Sequence, residues 1–376
     1  MITKTLRISG GDYSTLPQIT TYLNGLLTSG FTDNITINVE GGAVFGTEGV
    51  DYGFIMGGGT FDFGNYSVTF QTDPTEVATP ATLKGQLLLN GQTFINTVGS
   101  VIKRSQLNLS NNSYMTKFDS SVSASPDFTD IACNIYQTNS GIYIETSTSL
   151  GNLRIQKCNL FTNASGYGLV GTNNIASVVA TNTLFCNYSA SAFAISGAPS
   201  ASGDYLSGYN YGAGATTFSV AYTNTTVDVD PNLTENIIQS AVDSTDTMRA
   251  RNAFPTVSST SLIDAGTATG APATDIIGTS VPQGSVADIG AYEYLATPYI
   301  APDFRLKEDS PAIRIVETIP VQKADSVELI DYGSIYFNKY QDGSSRLEPY
   351  DAGALPLFKG GSALILMLMN NNKGDL

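Results

Sequence analysis

This sequence contains no histidine and no tryptophan, and only three of its 376 residues are cysteine. Each absence excludes something. Without histidine there is no Ser-His or Cys-His nucleophile system and no imidazole general base. Zinc catalysis loses its usual nitrogen ligand, and a histidine pH switch is excluded. Any chemistry must use carboxylates, Tyr, Lys or Arg. The missing tryptophans weaken the case for a sugar-stacking cleft, although 20 tyrosines remain. Cys133, Cys158 and Cys186 show no C-x-x-C spacing, and an odd number argues against a disulfide framework. Buried, reduced thiols acting as small hydrophobes are expected.

Charge is also scarce, at 14% of residues, and it is unbalanced: 18 basic against 33 acidic side chains, a net charge of −15. Such a field repels phosphate backbones, so nucleic acid is not an expected partner. With 41% hydrophobic residues a substantial core can form. The surface must then be built largely from Ser, Thr, Asn and Gly, a composition that suits β-structure with many tight turns. No apolar run reaches the roughly 18 residues of a membrane span. The longest, Ala363 to Met369, is far shorter. The first residues, Met1-Ile2-Thr3-Lys4-Thr5-Leu6-Arg7, lack the charged-then-apolar pattern of a signal peptide, and none is expected.

One amphipathic helix is expected near the start. Ser14 or Thr15 can cap it, Pro17 lies in its first turn, and Leu16, Ile19, Leu23, Leu26 and Leu27 recur at helical spacing before Gly30. Ile35-Thr36-Ile37-Asn38-Val39 then alternates like a strand. Between residues 51 and 100, short strands are broken by glycine clusters, with Phe61, Phe63, Val68 and Phe70 as inward positions and a loop from Thr72 to Pro80.

The middle of the chain repeats. Cys133-Asn134-Ile135-Tyr136 aligns with Cys158-Asn159-Leu160-Phe161 and with Asn182-Thr183-Leu184-Phe185, at offsets of 25 and 24 residues. An earlier copy starts at Ser105-Gln106-Leu107. Asn139, Asn163 and Asn187 follow at matching turns, where stacked amides can form ladders. A period of roughly 20–30 residues with several short strands per unit is the mark of a solenoid, in which stacked coils bury a continuous core. Cys133 and Cys158 should sit on adjacent coils, pointing the same way.

Near the end, Ser261-Leu262-Ile263-Asp264-Ala265-Gly266, Asp275-Ile276-Ile277-Gly278 and Asp288-Ile289-Gly290-Ala291-Tyr292-Glu293-Tyr294 form a series. A second series echoes it: Asp309-Ser310-Pro311-Ala312-Ile313, Asp331-Tyr332-Gly333 and Tyr350-Asp351-Ala352-Gly353-Ala354-Leu355-Pro356. This pattern resembles the C-terminal closing module of single-stranded right-handed parallel β-helix proteins. The opening, with "GDYSTLPQI", a strand and then Glu40-Gly41-Gly42, resembles that of pectate-lyase-like β-helices, where the helix plugs the first open coil. Arg346 is present in the second series but has no counterpart in the first, and is expected to pair with Asp331 or Asp351.

The expected fold is therefore all-β: a right-handed single-stranded parallel β-helix with an N-terminal capping helix and an irregular β C-terminal module. Expected boundaries are 1–50 for the cap, 51–250 for the β-helix, 251–358 for the tandem closing modules and 359–376 for an apolar tail.

Candidate sites divide by chemistry. Glycosidic cleavage needs two carboxyl groups about 5–9 Å apart. Asp119, Asp127, Asp130 and Glu145 are the catalytic candidates, although no pair recurs at the coil period and turn-capping is the plain alternative. Tyr205, Tyr209 and Tyr211 are candidates for binding a sugar or a protein, or simply for packing. Leu364, Leu366 and Leu368, in the tail after Gly360-Gly361, are candidates for assembly as a strand inserted into another subunit, the alternative being a strand that packs back on its own domain. Asp228, Asp230, Asp243 and Asp246 are oxygen donors of the kind Ca²⁺ takes. They lack an EF-hand-type spacing, so no metal site and no cofactor is expected.

Proteins resembling this one are secreted enzymes, surface adhesins or virion appendages. The expectation from a rigid, exterior-type β-rod without a signal peptide is a non-enzymatic structural protein of a tailed phage. It would be a fibre, spike or capsid-decorating component located on the virion, contacting other virion proteins and a host-surface glycan. The sequence leaves the oligomeric state open; the fibrous phage β-helices it resembles are commonly homo-trimers. The alternatives are a tailspike-like glycan depolymerase using an Asp/Glu pair, and a bacterial surface adhesin.

Overall fold

The computed structural model describes residues 1–55, 60–95, 100–112, 115–122, 127–137, 144–146, 150–162, 175–187, 193–195, 200–211, 216–218, 223–234 and 253–295. All lie in the unit Met1–Ala296. The first elements are β1 (Ile2–Leu6), α1 (Leu16–Ser29), β2 (Ile35–Val39), β3 (Val44–Ile55), β4 (Thr60–Asp62), β5 (Val68–Thr72) and β6 (Ala81–Ile95). Next come β7 (Ser100–Ser105), β8 (Leu107–Asn111), β9 (Thr116–Val122), β10 (Asp127–Ile131), β11 (Asn134–Gln137) and β12 (Ile144–Thr146). The series ends with β13 (Leu150–Gln156), β14 (Asn159–Thr162), β15 (Ile175–Asn187), β16 (Phe193–Ile195), β17 (Ser200–Asn210), β18 (Thr216–Phe218) and β19 (Thr223–Val227).

The strand pairs among the described residues are parallel and link one coil to the next, which makes the chain a right-handed parallel β-helix. Each coil contributes to three stacks. In the first, Ile2, Ile35, Val68, Ile102, Phe128, Leu153 and Val178 follow one another from coil to coil. In the second, the column is Phe45, Leu83, Leu109, Ile135, Leu160 and Phe185. In the third it is Phe54, Leu89 and Phe118. With coils about 4.8 Å apart, equivalent side chains touch, so alternate positions of each strand build one continuous lumen. Phe63, Val68 and Phe70 point inward as expected and are fully buried.

The first and second stacks meet at a one-residue corner in the left-handed conformation. Gln106, Ala132, Lys157, Asn182, Tyr205 and Asn224 take φ values of 53, 50, 52, 49, 59 and 49°. This corner sets the repeat and corrects the sequence alignment. Cys158 stacks below Thr183, and Asn159 below Leu184, so the offset stays at 25 rather than dropping to 24. Asn182 occupies the corner below which Lys157 lies. Likewise Asn108, two residues after corner Gln106, is the partner of Asn134. The earlier copy therefore begins two residues later than sequence alignment placed it.

The buried thiols share one device. Cys133 and Cys158 each donate to the carbonyl two residues back, at 3.3 Å, and Thr183 does the same at 2.9 Å. Each of these carbonyls also accepts the corner N–H of the coil before, from Gln106, Ala132 and Lys157, so the side chain after the corner is a second donor to it. All three cysteines are free and buried.

The amide ladder forms, but at other asparagines than expected. Asn134 donates to Asn108 and Asn159 donates to Asn134, each at 3.0 Å, and Asn108 donates to the Pro80 carbonyl at 3.2 Å. Asn139 and Asn163 lie outside the described residues. Asn187 is buried in β15, stacked on Thr162.

Helix α1 covers the first coil. Leu16, Ile19 and Leu23 are buried against it. Gln18 Oε1 reaches back to accept the N–H groups of Ser14 and Thr15, at 2.7 and 3.2 Å. Strand β3 begins the third stack, so its outer edge would expose unpaired backbone. Asn24 closes that edge by donating to the Ile55 carbonyl at 3.2 Å and accepting its N–H at 3.1 Å. Thr20 accepts the Gly53 N–H at 3.1 Å.

Candidate functional site

The most built polar site lies along the row of left-handed corners. Residues 253–295 run without regular strands, and three acidic side chains shape them. Asp264 Oδ1 accepts the Ser285 N–H at 2.7 Å. Asp275 accepts the N–H groups of Ile277, Thr279 and Glu293, at 3.0, 2.7 and 2.9 Å. Asp288 accepts those of Asp264 and Tyr294, at 2.7 and 2.5 Å. The expected motif thus folds as one clasp. It lies along the side of the coil column rather than across its end.

The clasp grips four successive corners. Gln106 donates to Thr274 Oγ1 and to the Asp275 carbonyl, at 3.2 and 2.8 Å. Ala132 packs with Ile276, Ala291 and Tyr292. Lys157, fully buried, gives its ammonium to the carbonyls of Asp288 and Tyr292 and to Glu293 Oε1, at 3.1, 3.3 and 2.5 Å. Asn182 pairs with both backbone groups of Thr267, at 2.7 and 2.8 Å. The asparagine ladder joins in. Asn159 accepts the Ala291 N–H at 3.0 Å, and Asn134 donates to the Tyr292 hydroxyl at 2.7 Å. Gly290, at φ 103°, passes so close to Asn159 that a Cβ would stand 2.5 Å from its side-chain oxygen.

Burial pushes the carboxyls of Asp275 and Asp288 up to about 6, against the pull of their backbone N–H donors. The ammonium of Lys157 has three oxygens around it, and Glu293 accepts two further backbone N–H groups, from Asp288 and Gln283, both at 3.0 Å. This arrangement fastens one part of the chain to another and presents no free nucleophile or base. Sequence reasoning assigned no role to Gln106, Lys157 or the corner position of Asn182. The signal was there in the 25-residue step from Lys157 to Asn182, hidden by the one-residue alignment error.

Of the catalytic candidates, Asp127 and Asp130 are each held in their own ion pair. Asp130 points into the lumen, one coil from Arg104, and both are fully buried. Arg104 Nε and Nη2 donate to the two carboxylate oxygens at 2.7 and 2.8 Å, and the guanidinium lies 4.9 Å from the Phe128 ring centre. Burial works against charge on both groups. Asp130 nevertheless holds Arg104 above its ordinary value, and the two-pronged geometry identifies an ion pair. Asp127 binds the backbone and side-chain N–H groups of Asn152, at 2.9 and 2.8 Å, and Arg154 Nε at 3.1 Å. Asp119 lies on β9 and Glu145 on β12, where Glu145 pairs with Lys117. Their side chains lie outside what the structure describes.

Among the tyrosines, Tyr205 and Tyr211 pack against the cluster of Tyr136, Phe161 and Leu184, with Leu262 and Ile289 of the clasp. Tyr209 meets Tyr211 edge-on at 4.7 Å, and burial raises both hydroxyls. Leu364, Leu366 and Leu368 lie outside the described residues, as do Asp243, Asp246, Arg346 and the second motif series. Among the described residues no group of three or more Cys, Asp or Glu is placed to hold a metal ion, and no helix is long and apolar enough to cross a membrane.

Compared with known proteins, the chain matches no family model and no curated protein. It matches the crystal structure of the pectin methylesterase from Aspergillus niger with 13% sequence identity and a TM-score of 0.30, over 66% of this chain and 93% of that one.

Proposed function

We propose that this chain is a non-catalytic structural rod on the outside of a tailed-phage particle, acting in attachment to a host-surface glycan or in stabilising the particle. The observation that carries this reading is the use made of its carboxylates. Of the four catalytic candidates, the two with described side chains are engaged internally, Asp130 by Arg104 and Asp127 by Asn152 and Arg154. The buried acids of the clasp hold backbone N–H groups instead of facing a groove. A column fastened along its side at four coils suits load-bearing display. A composition poor in charge, yet with a net charge of −15, suits solubility outside a cell.

One observation favours the depolymerase reading. Glu145 lies one coil from Lys117, and Asp119 lies two residues beyond Lys117 on the same face of β9. From strand rise and spacing, these backbone positions are roughly 8 Å apart, within the range of an inverting carboxylate pair, about 6.5–9.5 Å. The test is to incubate the purified chain with bacterial-surface polysaccharides and follow new reducing ends and unsaturated uronate absorbance. The structural reading expects retention without cleavage. Cleavage that disappears in Asp119→Asn or Glu145→Gln would establish the enzyme instead.

A further inference from the structure

Lys157 and Glu293 meet side chain to side chain where solvent reaches neither. They lie 136 residues apart in sequence, one on a left-handed corner of the coil column and the other in the last motif of the clasp. Their Nζ–Oε1 contact, 2.5 Å, is shorter than the roughly 2.7–2.9 Å of a charge-assisted hydrogen bond. Two further buried acids join the cluster. Glu293 donates its backbone N–H to Asp275 at 2.9 Å, and Asp288 donates its own to Glu293 Oε1 at 3.0 Å. One ammonium thus serves three carboxyl groups away from water. An ion pair held there carries a desolvation cost that a neutral link would not.

The neighbouring groups fit the product of a condensation as well as they fit the ion pair. Glu293 Oε2 accepts the Gln283 N–H at 3.0 Å, a donor placed for the oxygen that would remain. The carbonyls of Asp288 and Tyr292, at 3.1 and 3.3 Å from Nζ, can each accept an amide N–H. Loss of one water would therefore leave no polar atom of the link without a partner.

We propose that Lys157 and Glu293 are a modification site at which the chain condenses with itself, forming an isopeptide bond between Nζ and Cδ. The ammonium passes one proton across the short contact to Oε1. The neutral amine attacks Cδ with its freed electron pair, and the Gln283 N–H holds the negative charge that develops on Oε2. The Cδ–Oε1 bond then breaks. The oxygen leaves as water with a second proton from the nitrogen, and an amide remains. Ammonium plus carboxylate gives amide plus water, so no oxidant or co-reactant is needed. Fixed placement replaces chance encounter, an advantage of about 10⁵–10⁸ M in effective concentration for well-oriented intramolecular reactions. Exclusion of water from the site opposes the reverse step. The bond forms whether or not the chain binds a glycan.

The test is the intact mass of the purified full chain under denaturing conditions, beside Lys157→Arg and Glu293→Ala. The bond predicts a wild type lighter than its sequence by one water, about 18 Da, and both variants at their full sequence masses. Digestion of the wild type should release a branched peptide in which Lys157 is joined to Glu293. That peptide is read on the wild type alone, so the outcome is decided even if the variants fold poorly. A wild type at its full sequence mass overturns the bond. A water loss that persists in Lys157→Arg, with no branched peptide in the wild type, belongs to another site and overturns it equally.

Discussion

Replacing Arg104 by Met should unbalance the centre of the column. The pair it forms with Asp130 is fully buried on both sides and bonded twice, at 2.7 and 2.8 Å. Taking two charges out of water costs about as much as their attraction returns, so the intact pair adds little net stability. Removing one partner is different: it strands a fully buried carboxylate in the lumen near Tyr52. We expect Arg104→Met to cost about 3–5 kcal/mol. The double variant Arg104→Met/Asp130→Leu should recover most of that, leaving a coupling of about 2–3 kcal/mol by double-mutant cycle. The assay is urea unfolding followed by tyrosine fluorescence and far-ultraviolet circular dichroism, with the first transition compared between variants. At a slope of about 3 kcal/mol/M, a 4 kcal/mol loss lowers that midpoint by about 1.3 M. The deficit of the single variant should also shrink in acid. A stranded Asp130 has its carboxyl raised by burial, so the folded state binds the proton more tightly and gains stability as pH falls. A single-variant loss below about 1 kcal/mol, or a double variant as weak as the two singles added, would refute the account.

Three further outcomes follow from the clasp. Asn134→Ala removes the donor to Asn108 and to the Tyr292 hydroxyl, and strands the amide of Asn159. A loss of about 2–3 kcal/mol is expected, read by thermal melting. Gly290→Ala meets both an unfavourable φ of 103° and the Asn159 oxygen. Limited proteolysis should then cut within 253–295 at protease levels that leave the wild type intact. Asp275 and Asp288, raised to about 6, contribute stability that is fully present below about pH 4 and lost as pH rises through about 6. Each contributes up to about 3 kcal/mol, with the pull of the backbone N–H groups already included in the raised value. Melting temperatures from pH 4 to 8 should therefore slope downward for the wild type and flatten in Asp288→Asn.

How much of this was legible depended on whether the cause was local. Helix α1 and strand Ile35–Val39 were readable because capping, proline placement and alternation act over a few residues. The coil period was readable from Cys133 and Cys158, but its register was not, because a single left-handed residue per coil fixes it. Asn182 fits that corner as readily as it fits a strand start, so similarity of letters favoured the wrong frame. The place of Asp130 was hidden for a related reason. Phe128 and Asp130 alternate with Thr129, a parity that sends both inward, but an acid in an apolar column becomes intelligible only when Arg104 is seen one coil away. The clasp's grip on Lys157 spans more than a hundred residues of sequence, and no short window contains it.

The row of corners also fixes the chain's length, as a ruler does. The clasp engages Gln106, Ala132, Lys157 and Asn182, and each lies one coil from the next. Between the first and last of these, a duplicated or deleted coil would displace every later mark by about 4.8 Å. Lys157 would then no longer face Glu293, nor Asn182 face Thr267. Within that span the number of coils cannot drift. The column can lengthen or shorten only outside it, at the end under α1 or beyond Asn182, so variation in reach among chains built on this plan should be confined to those two stretches.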